Sequence, residues 1–226
     1  MGISTNCPLF LYIIQNPLND HRLRSIGIPL NRGESNPNSN RKAFYFYSFF
    51  MQNHVHPTDS ILRVLEERQS YHRNRNSICM HIRCGIPLAD FGDQASFLSI
   101  KDISTFYRCQ SHFQTKTQSS HGNVVIVASD SSRAKNIIRN FNAGRSEVVW
   151  WENKTSHTMT RSFRKTRSSV INGAVIDLFS LAQCSHFIGT FRSSFSITAA
   201  ALMGNTPFLV KQGGKRCEIP KVITFG

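Results

Sequence analysis

Residues 172–203 read NGAVIDLFSLAQCSHFIGTFRSSFSITAAALM. In the first third of this stretch apolar side chains recur at helical spacing, at Val175, Leu178, Phe179 and Ala182. Residues 186–189, His-Phe-Ile-Gly, are few enough for a short buried strand. A hydroxyl-rich turn and a second apolar segment follow. The stretch therefore predicts a helix, a strand, a turn and a helix, the alternation that builds an α/β fold.

The turn between this strand and the second helix is a candidate binding site. In an open α/β sheet, ligands bind outside the carboxyl ends of the strands. The start of a helix also leaves free N–H groups and a partial positive charge, which suit a phosphate. Ser193 has an alternative role there, because serine is also a common helix cap. The turn alone leaves both roles open.

The overall composition limits the class of protein. A chain of 226 residues with 40% apolar residues can form one α/β domain or two small lobes, and disorder is not expected. Lys and Arg number 27 against 13 acids, a formal charge of +14. This charge favours phosphorylated or polyanionic partners without choosing among nucleic acid, a membrane surface and a nucleotide. The apolar run within residues 1–14 is too short to span a bilayer, so no membrane segment is expected.

The six cysteines form no C-x-x-C pair, so neither a zinc site nor a redox couple is predicted. Cys79 and Cys184 both lie in apolar runs. We expect them to be ordinary buried thiols. The cysteines therefore leave the cellular compartment open.

The pattern along the chain predicts a doubly wound parallel sheet, because strands alternate with helices. Residues 1–42 are expected to be poorly ordered, and the aromatic run 44–51 to be buried. Thr58 is the predicted N-cap of a helix whose Glu66, Glu67 and Arg68 face water. Further helices are predicted at 99–106, after Ser131, and in the two helical parts of 172–203. The predicted strands are 77–82, 123–128, 147–151, 186–189, 206–210 and 221–225, and a basic loop covers 153–169.

Polar residues follow three of these strands directly. They are Arg83, then Asp130, then Thr190 with Ser193 and Ser194. A parallel sheet brings such strand ends to one edge. Arginine offers a fork for phosphate, hydroxyls bind further oxygens, and aspartate accepts from a ribose or base. The alternatives are a salt bridge for Arg83 and a helix cap for Asp130. Together the positions predict a nucleotide diphosphate site, without support from a G-x-G-x-x-G or P-loop motif.

Four segments in this order resemble the α1,6-fucosyltransferases of glycosyltransferase family 23, the core-fucosylating and nodulation enzymes. They are His81-Ile-Arg83, Val127-Ala-Ser-Asp130, residues 173–183 and the Thr190–Ser194 turn. The resemblance runs from about residue 47 to residue 226, with a looser similarity to protein O-fucosyltransferases. It implies that residues 43–226 are a truncated catalytic domain. The implied fold is a Rossmann-like parallel sheet with flanking helices, the donor-binding half of a GT-B-type glycosyltransferase.

The resemblance also implies an activity. The expected reaction is inverting transfer of fucose from GDP-fucose to a hydroxyl of a glycan acceptor, with the N-glycan core as the acceptor. No metal or other cofactor and no nucleic-acid partner are expected, and the implied location is the Golgi or secretory pathway. Arg83 is expected to hold the diphosphate, whose charge develops as GDP leaves. The implied donor-binding positions are Arg83, Cys84, Asp130, Asp177, Thr190, Ser193, Ser194 and Phe195.

Two positions depart from the family pattern. Cys84 replaces a second arginine, and a lost charge-assisted hydrogen bond costs about 1.5–3 kcal/mol. Gln94 occupies the place of the glutamate base and cannot accept a proton. Asp93 beside it is the candidate catalytic base, or else a surface acid. These departures motivate an alternative function, a catalytically impaired module that binds GDP or a glycan. A third hypothesis, a nucleic-acid-binding domain, rests on the charge of +14 and the basic loop 153–169.

Overall fold

A computed structural model describes residues 37–71, 75–84, 98–114, 123–152, 167–191, 193–205 and 207–214. The helices are α1 (Pro37–His54), α2 (Asp59–Gln69), α3 (Ile103–Gln114), α4 (Ser132–Phe141), α5 (Arg167–Ala182) and α6 (Ser194–Met203). A short 3₁₀ turn, Ile100–Asp102, leads into α3. The strands are β1 (Asn76–Ile82), β2 (Asn123–Ser129), β3 (Glu147–Val149), β4 (His186–Thr190) and β5 (Phe208–Val210).

The five strands form one parallel sheet in the order β3-β2-β1-β4-β5. The central strand β1 pairs with β2 along its whole length, from Asn76 opposite Asn123 to Ile82 opposite Ser129. On its other side it pairs with β4, with Met80 opposite Ile188. Chain order therefore reverses between β1 and β4. The carboxyl ends of the two strands at such a reversal flank the crevice in which open α/β sheets bind ligands.

Helices cover both faces of the sheet. One face packs on α1, α5 and α6 through buried side chains that include Phe44, Leu181 and Ile197. The opposite face packs on α3 and α4 through residues such as Phe106 and Ile138. Apolar side chains on both faces bury β1, as expected for the middle strand of a parallel sheet. The predicted doubly wound α/β architecture is confirmed.

Helix α1 begins at Pro37, inside the segment 1–42 for which poor order was expected, and residues 1–36 lie outside the described residues. The aromatic run lies within this helix and is only partly buried. Phe44 and Tyr47 are in the core, whereas Tyr45 and Phe49 are 46% and 61% exposed. A helix turns successive residues to different faces, so a continuous aromatic run cannot be buried throughout.

The prediction that Arg68 faces water was also wrong. Helix α2 begins at Asp59 with Thr58 at its N-cap, as predicted. Arg68, near its end, is 5% exposed and donates to a carboxylate oxygen of Asp177 at 2.9 Å and to the Ser180 hydroxyl at 3.0 Å. Its guanidinium also lies 4.2 Å from the ring centroid of Trp151. The ion pair with Asp177 on α5 and the stacking on Trp151, two residues after β3, compensate the cost of burying this charge.

Cys79 and Cys184 are not free thiols but form a disulfide, with their Cα atoms 5.8 Å apart. Cys79 lies on β1, and Cys184 lies in the turn that leads into β4. Pairing of these parallel strands brings the two positions together, since the Ser185 N–H donates to the Ser77 carbonyl at 3.1 Å. The apolar residues next to each cysteine in the sequence do not predict this disulfide. Cys109 is disulfide-bonded as well, whereas Cys84 is free.

Other predicted elements are present with shifted ends. Helix α3 continues to Gln114, and β3 ends at Val149. Helix α5 begins at Arg167, inside the loop predicted for 153–169, and the rest of that loop lies outside the described residues. The strand predicted at 221–225 is outside them too. None of the helices in the described ranges is long and apolar enough to cross a membrane.

Candidate functional site

Arg83 and Thr190 lie together where β1 and β4 end. The backbone N–H of Arg83 donates to the Thr190 hydroxyl at 3.0 Å, and this hydroxyl donates to the backbone carbonyl of His81 at 2.9 Å. Thr190 is fully buried. The Thr190 hydroxyl thus connects β1 and β4 beyond Met80 and Ile188, the last residues that pair between these strands. The structure places two of the predicted site residues on opposite sides of the β1/β4 crevice.

Strand β1 presents His81 to α6, and Arg83 follows directly after the end of this strand. Side chains alternate along a strand, so Cys79 and His81 point to one side. That side is the one covered by α6, because His81 Nδ1 lies 2.7 Å from the Ser196 hydroxyl. Burial, and then the nearby Arg83 charge, lower the pKa of His81 to about 3.

The N-terminus of α6 carries the serine pair. Ser193 is fully buried, and its hydroxyl accepts the Ser196 N–H at 3.4 Å, so the cap role proposed for it is present. Ser194 is exposed in the first turn of the helix. The free N–H groups of this turn and the Ser194 hydroxyl therefore lie on the same edge as Arg83. This combination of donors and positive charge suits an anionic ligand.

Close packing of α6 on β4 depends on Gly189. A Cβ atom at this position would lie 2.7 Å from Ser196 Cβ and 2.9 Å from a ring carbon of Phe187. Such distances are shorter than real side chains allow. The absent side chain lets Ser196 approach β4, where its hydroxyl accepts the Thr190 N–H at 2.9 Å.

Asp130 holds the segment that follows β1. Its carboxylate accepts the Cys84 N–H at 2.9 Å. The helix cap expected in this region is made by Ser131 instead, whose hydroxyl accepts the Ala134 N–H at 3.3 Å. Asp130 remains exposed at the edge of the sheet. Its contact with Cys84 brings the end of β2 to the group formed by Arg83 and Thr190.

Cys84 is a neutral thiol. Burial, followed by the negative charges of Asp130 and Asp102, raises its pKa to about 12. A neutral thiol supplies no positive charge to a phosphate. The role of Cys84 at a donor site stays a prediction.

Phe195 packs on the imidazole of His81, with ring centroids 4.6 Å apart and planes inclined by 33°. Both residues are partly buried. This contact places Phe195 beside the same strand end as Arg83. The edge therefore collects Arg83, Cys84, Asp130, Thr190, Ser193, Ser194 and Phe195, all of them predicted from the sequence.

Asp177 lies elsewhere. It is on α5, and its carboxylate accepts from Arg68 at 2.9 Å. Its role as a donor ligand stays a prediction. The candidate base Asp93 and its neighbour Gln94 lie outside the described residues.

His81 and Ser196 belong to the site by geometry but were not predicted as site residues. The signal for His81 was its position near the end of a predicted strand, two residues before Arg83. No comparable signal marked Ser196. Its position depends on how closely α6 approaches β4, which the sequence pattern does not specify.

The fold has known counterparts. The Arabidopsis thaliana fucosyltransferase FUT1, solved as a mutant in complex with GDP, matches with a TM-score of 0.54 and 12% sequence identity. The match covers 79% of this chain and 39% of that one. The chain has the fold of a fucosyltransferase. The predicted fold and the resemblance to fucosyltransferases are thereby confirmed at the level of the fold.

Two further structures match less closely. The NodZ α-1,6-fucosyltransferase soaked with GDP-fucose has 15% identity and a TM-score of 0.46 over 78% of this chain and 49% of its own. POFUT1 in complex with GDP-fucose has 12% identity and a TM-score of 0.46 over 88% and 58%. This chain thus spans 39% to 58% of the length of the three structures. No family model and no curated protein matches the sequence.

Proposed function

We propose that this chain binds GDP-fucose and transfers its fucose, with inversion, to a hydroxyl of a glycan. The observation that carries this proposal is the meeting of Arg83 with Thr190 and the N-terminus of α6 at the reversal between β1 and β4. A diphosphate is the ligand that best suits an arginine, a helix N-terminus and exposed hydroxyls at this location. The shared fold with a GDP-bound fucosyltransferase supports the same ligand.

The chemistry follows from charge. An acceptor hydroxyl oxygen attacks the anomeric carbon of fucose from the side opposite the diphosphate, and the bond to the β-phosphate oxygen breaks. GDP takes the electron pair, and a base takes the hydroxyl proton. Arg83 stabilises the negative charge that develops on GDP. Asp93 is the proposed base, because neighbouring Gln94 cannot accept a proton. No metal or other cofactor is part of this proposal.

We assign the N-glycan core, through an α1,6 linkage, as the acceptor on the strength of the sequence resemblance. The same resemblance suggests the Golgi or secretory pathway. The Cys79–Cys184 disulfide supports that location, because such bonds persist in oxidising compartments and are rare where thiols are kept reduced.

Calorimetric titration with GDP and GDP-fucose tests the proposal. Wild-type protein should bind both, and Arg83→Ala should weaken binding by at least about tenfold, since a charge-assisted hydrogen bond is lost. Arg63→Ala is the matched control, because Arg63 is an exposed arginine on α2. Release of GDP from GDP-fucose in the presence of an N-glycan acceptor tests transfer. Absence of both GDP binding and turnover in the wild-type protein would reject the function.

A second candidate function is a module that binds GDP or a glycan without transferring sugar. The neutral Cys84 thiol favours it, because this position contributes no charge to the leaving group. This candidate predicts GDP binding that depends on Arg83 but no GDP release above background. Cys84→Arg should then strengthen GDP binding. Transfer by the wild-type protein would decide against this candidate.

A further inference from the structure

The Ser196 hydroxyl joins α6 to both strands at the candidate site. It accepts the backbone N–H of Thr190 at 2.9 Å and lies 2.7 Å from Nδ1 of His81. Ser196 is fully buried. Its position is enforced by the close packing against Gly189, where a Cβ atom would be only 2.8 Å from the Ser196 oxygen. This packing therefore holds the Ser196 hydroxyl to these two hydrogen-bond partners.

These two contacts determine where the imidazole proton lies. A backbone N–H can only donate, so the bond from Thr190 uses the Ser196 oxygen as an acceptor. The single proton of the hydroxyl remains to be donated, and His81 Nδ1 is its partner within the described residues. Nδ1 is thus the acceptor nitrogen. Burial and the Arg83 charge keep the ring neutral, so its one proton lies on Nε2.

The Nε2–H group is left available at the sheet edge. Among the described residues, His81 Nε2 has no hydrogen-bond partner. It is also not one of the buried atoms without a partner, since Arg75 Nε is the one such side-chain nitrogen or oxygen in these residues. The His81 side chain is partly buried rather than fully enclosed. Phe195 packs on the ring at 4.6 Å, which restricts its rotation. His81 is also two residues before Arg83, which lies just beyond the end of β1.

We propose that Ser196 is a positioning residue that keeps the proton of neutral His81 on Nε2, so that this N–H is presented to the nucleotide sugar beside Arg83. The ligand atom that meets it is then a hydrogen-bond acceptor. A His81 proton on Nδ1 would instead present a lone pair and repel such an atom. This inference deepens the proposed function and rests on it for the identity of the ligand.

Nuclear magnetic resonance of the full chain tests the proton position without any ligand. Protein labelled with ¹⁵N in its histidines gives two-bond ¹H–¹⁵N correlations that distinguish the tautomers, and His81→Gln assigns the His81 signals by their loss. Wild-type protein should show only the Nε2–H tautomer at neutral pH. Ser196→Ala should show a mixture of both. Wild-type His81 with its proton on Nδ1 overturns the proposal, whether or not the variant folds.

Ser48→Ala is the matched control. Ser48 is a buried serine on α1 whose hydroxyl donates to the Ala201 carbonyl of α6 at 2.7 Å. Its removal costs a buried hydrogen bond to the same helix but should leave the His81 tautomer unchanged. A Ser196→Ala spectrum identical to that of the wild type would refute the positioning role.

Titration with GDP then links the proton position to binding. Ser196→Ala should weaken GDP binding by at least about fivefold, whereas Ser48→Ala should change it by less than about twofold. A mixed tautomer with unchanged GDP affinity overturns the inference while leaving the proposed function intact. Failure of the wild-type protein to bind GDP counts against the proposed function itself, and the tautomer is still measured.

Discussion

The Arg83 N–H and the Thr190 hydroxyl are 3.0 Å apart across the two strands between which chain order reverses. The same hydroxyl donates to the His81 carbonyl at 2.9 Å. It therefore satisfies one donor and one acceptor of the backbone beyond the end of the strand pairing. This one oxygen atom therefore helps to hold the Arg83 backbone beside β4.

Replacement of Thr190 by valine tests this dependence. Thr190→Val keeps the shape of the side chain but leaves a backbone N–H and a carbonyl without their partner, so we expect a loss of about 1–3 kcal/mol in unfolding free energy. GDP affinity should fall by at least about fivefold because Arg83 is no longer held in place. Urea unfolding and calorimetry measure the two effects. Thr198→Val, which removes a hydroxyl bonded to Tyr47, should affect stability but leave GDP affinity unchanged.

Gly189→Ala should destabilise the protein by about 1–3 kcal/mol, because its Cβ atom would overlap Ser196 and Phe187. Movement of α6 away from β4 would relieve the overlap, so GDP binding should weaken as well. The double variant Gly189→Ala with Ser196→Gly removes the atom that clashes and should recover part of the stability by thermal unfolding. Equal stability of Gly189→Ala and the wild type would show that α6 does not pack this closely.

Breaking the Arg68–Asp177 pair should cost more than an ordinary surface ion pair. Both side chains are largely buried, at 6% and 16% exposure. Removing one partner leaves an uncompensated charge, so Arg68→Met and Asp177→Asn should each cost about 3–5 kcal/mol in urea unfolding. In a double-mutant cycle the second change should cost much less than the first, and independent effects would contradict the pairing.

The same variants test Asp177 as a donor ligand. If its carboxylate contacts the nucleotide, Asp177→Asn should weaken GDP binding beyond the effect of Arg68→Met. Equal GDP affinities in the two variants would leave Asp177 a purely structural residue.

Acid should destabilise the fold through His81. The folded pKa of His81 is lowered to about 3 from an ordinary 6.5, so the unfolded chain binds a proton that the folded chain does not. Stability therefore falls as pH decreases from 6.5 towards 3, by up to about 5 kcal/mol from this group. His81→Gln should make the fall shallower in urea unfolding at a series of pH values. His186, whose pKa is also lowered by burial, should keep part of this pH dependence in the variant.

Local sequence patterns predicted most of the strands and the polar residues at the carboxyl edge of the sheet. The run at 172–203 gave α5, β4 and α6 because apolar spacing and a hydroxyl-rich turn are local properties. Arg83, Asp130 and Thr190 followed because parallel strands bring their carboxyl ends together. Contacts set by packing could not be predicted in this way. Arg68 is charged and lies near a helix end, yet α5 and Trp151 enclose it. Cys79 and Cys184 both lie in apolar runs of sequence, and only the pairing of β1 with β4 brings them close enough to form a disulfide.

The Cys79–Cys184 bond has a practical consequence for preparing this protein. It closes a loop of 105 residues around α3, β2, α4, β3 and α5. Closing a loop of this length is worth about 4–5 kcal/mol in the chain-entropy description, a large part of the net stability of a typical domain. Protein made in a bacterial cytosol would lack this crosslink and be prone to aggregate. Export to the periplasm, or an oxidising expression strain, is the appropriate source of material for every measurement described above.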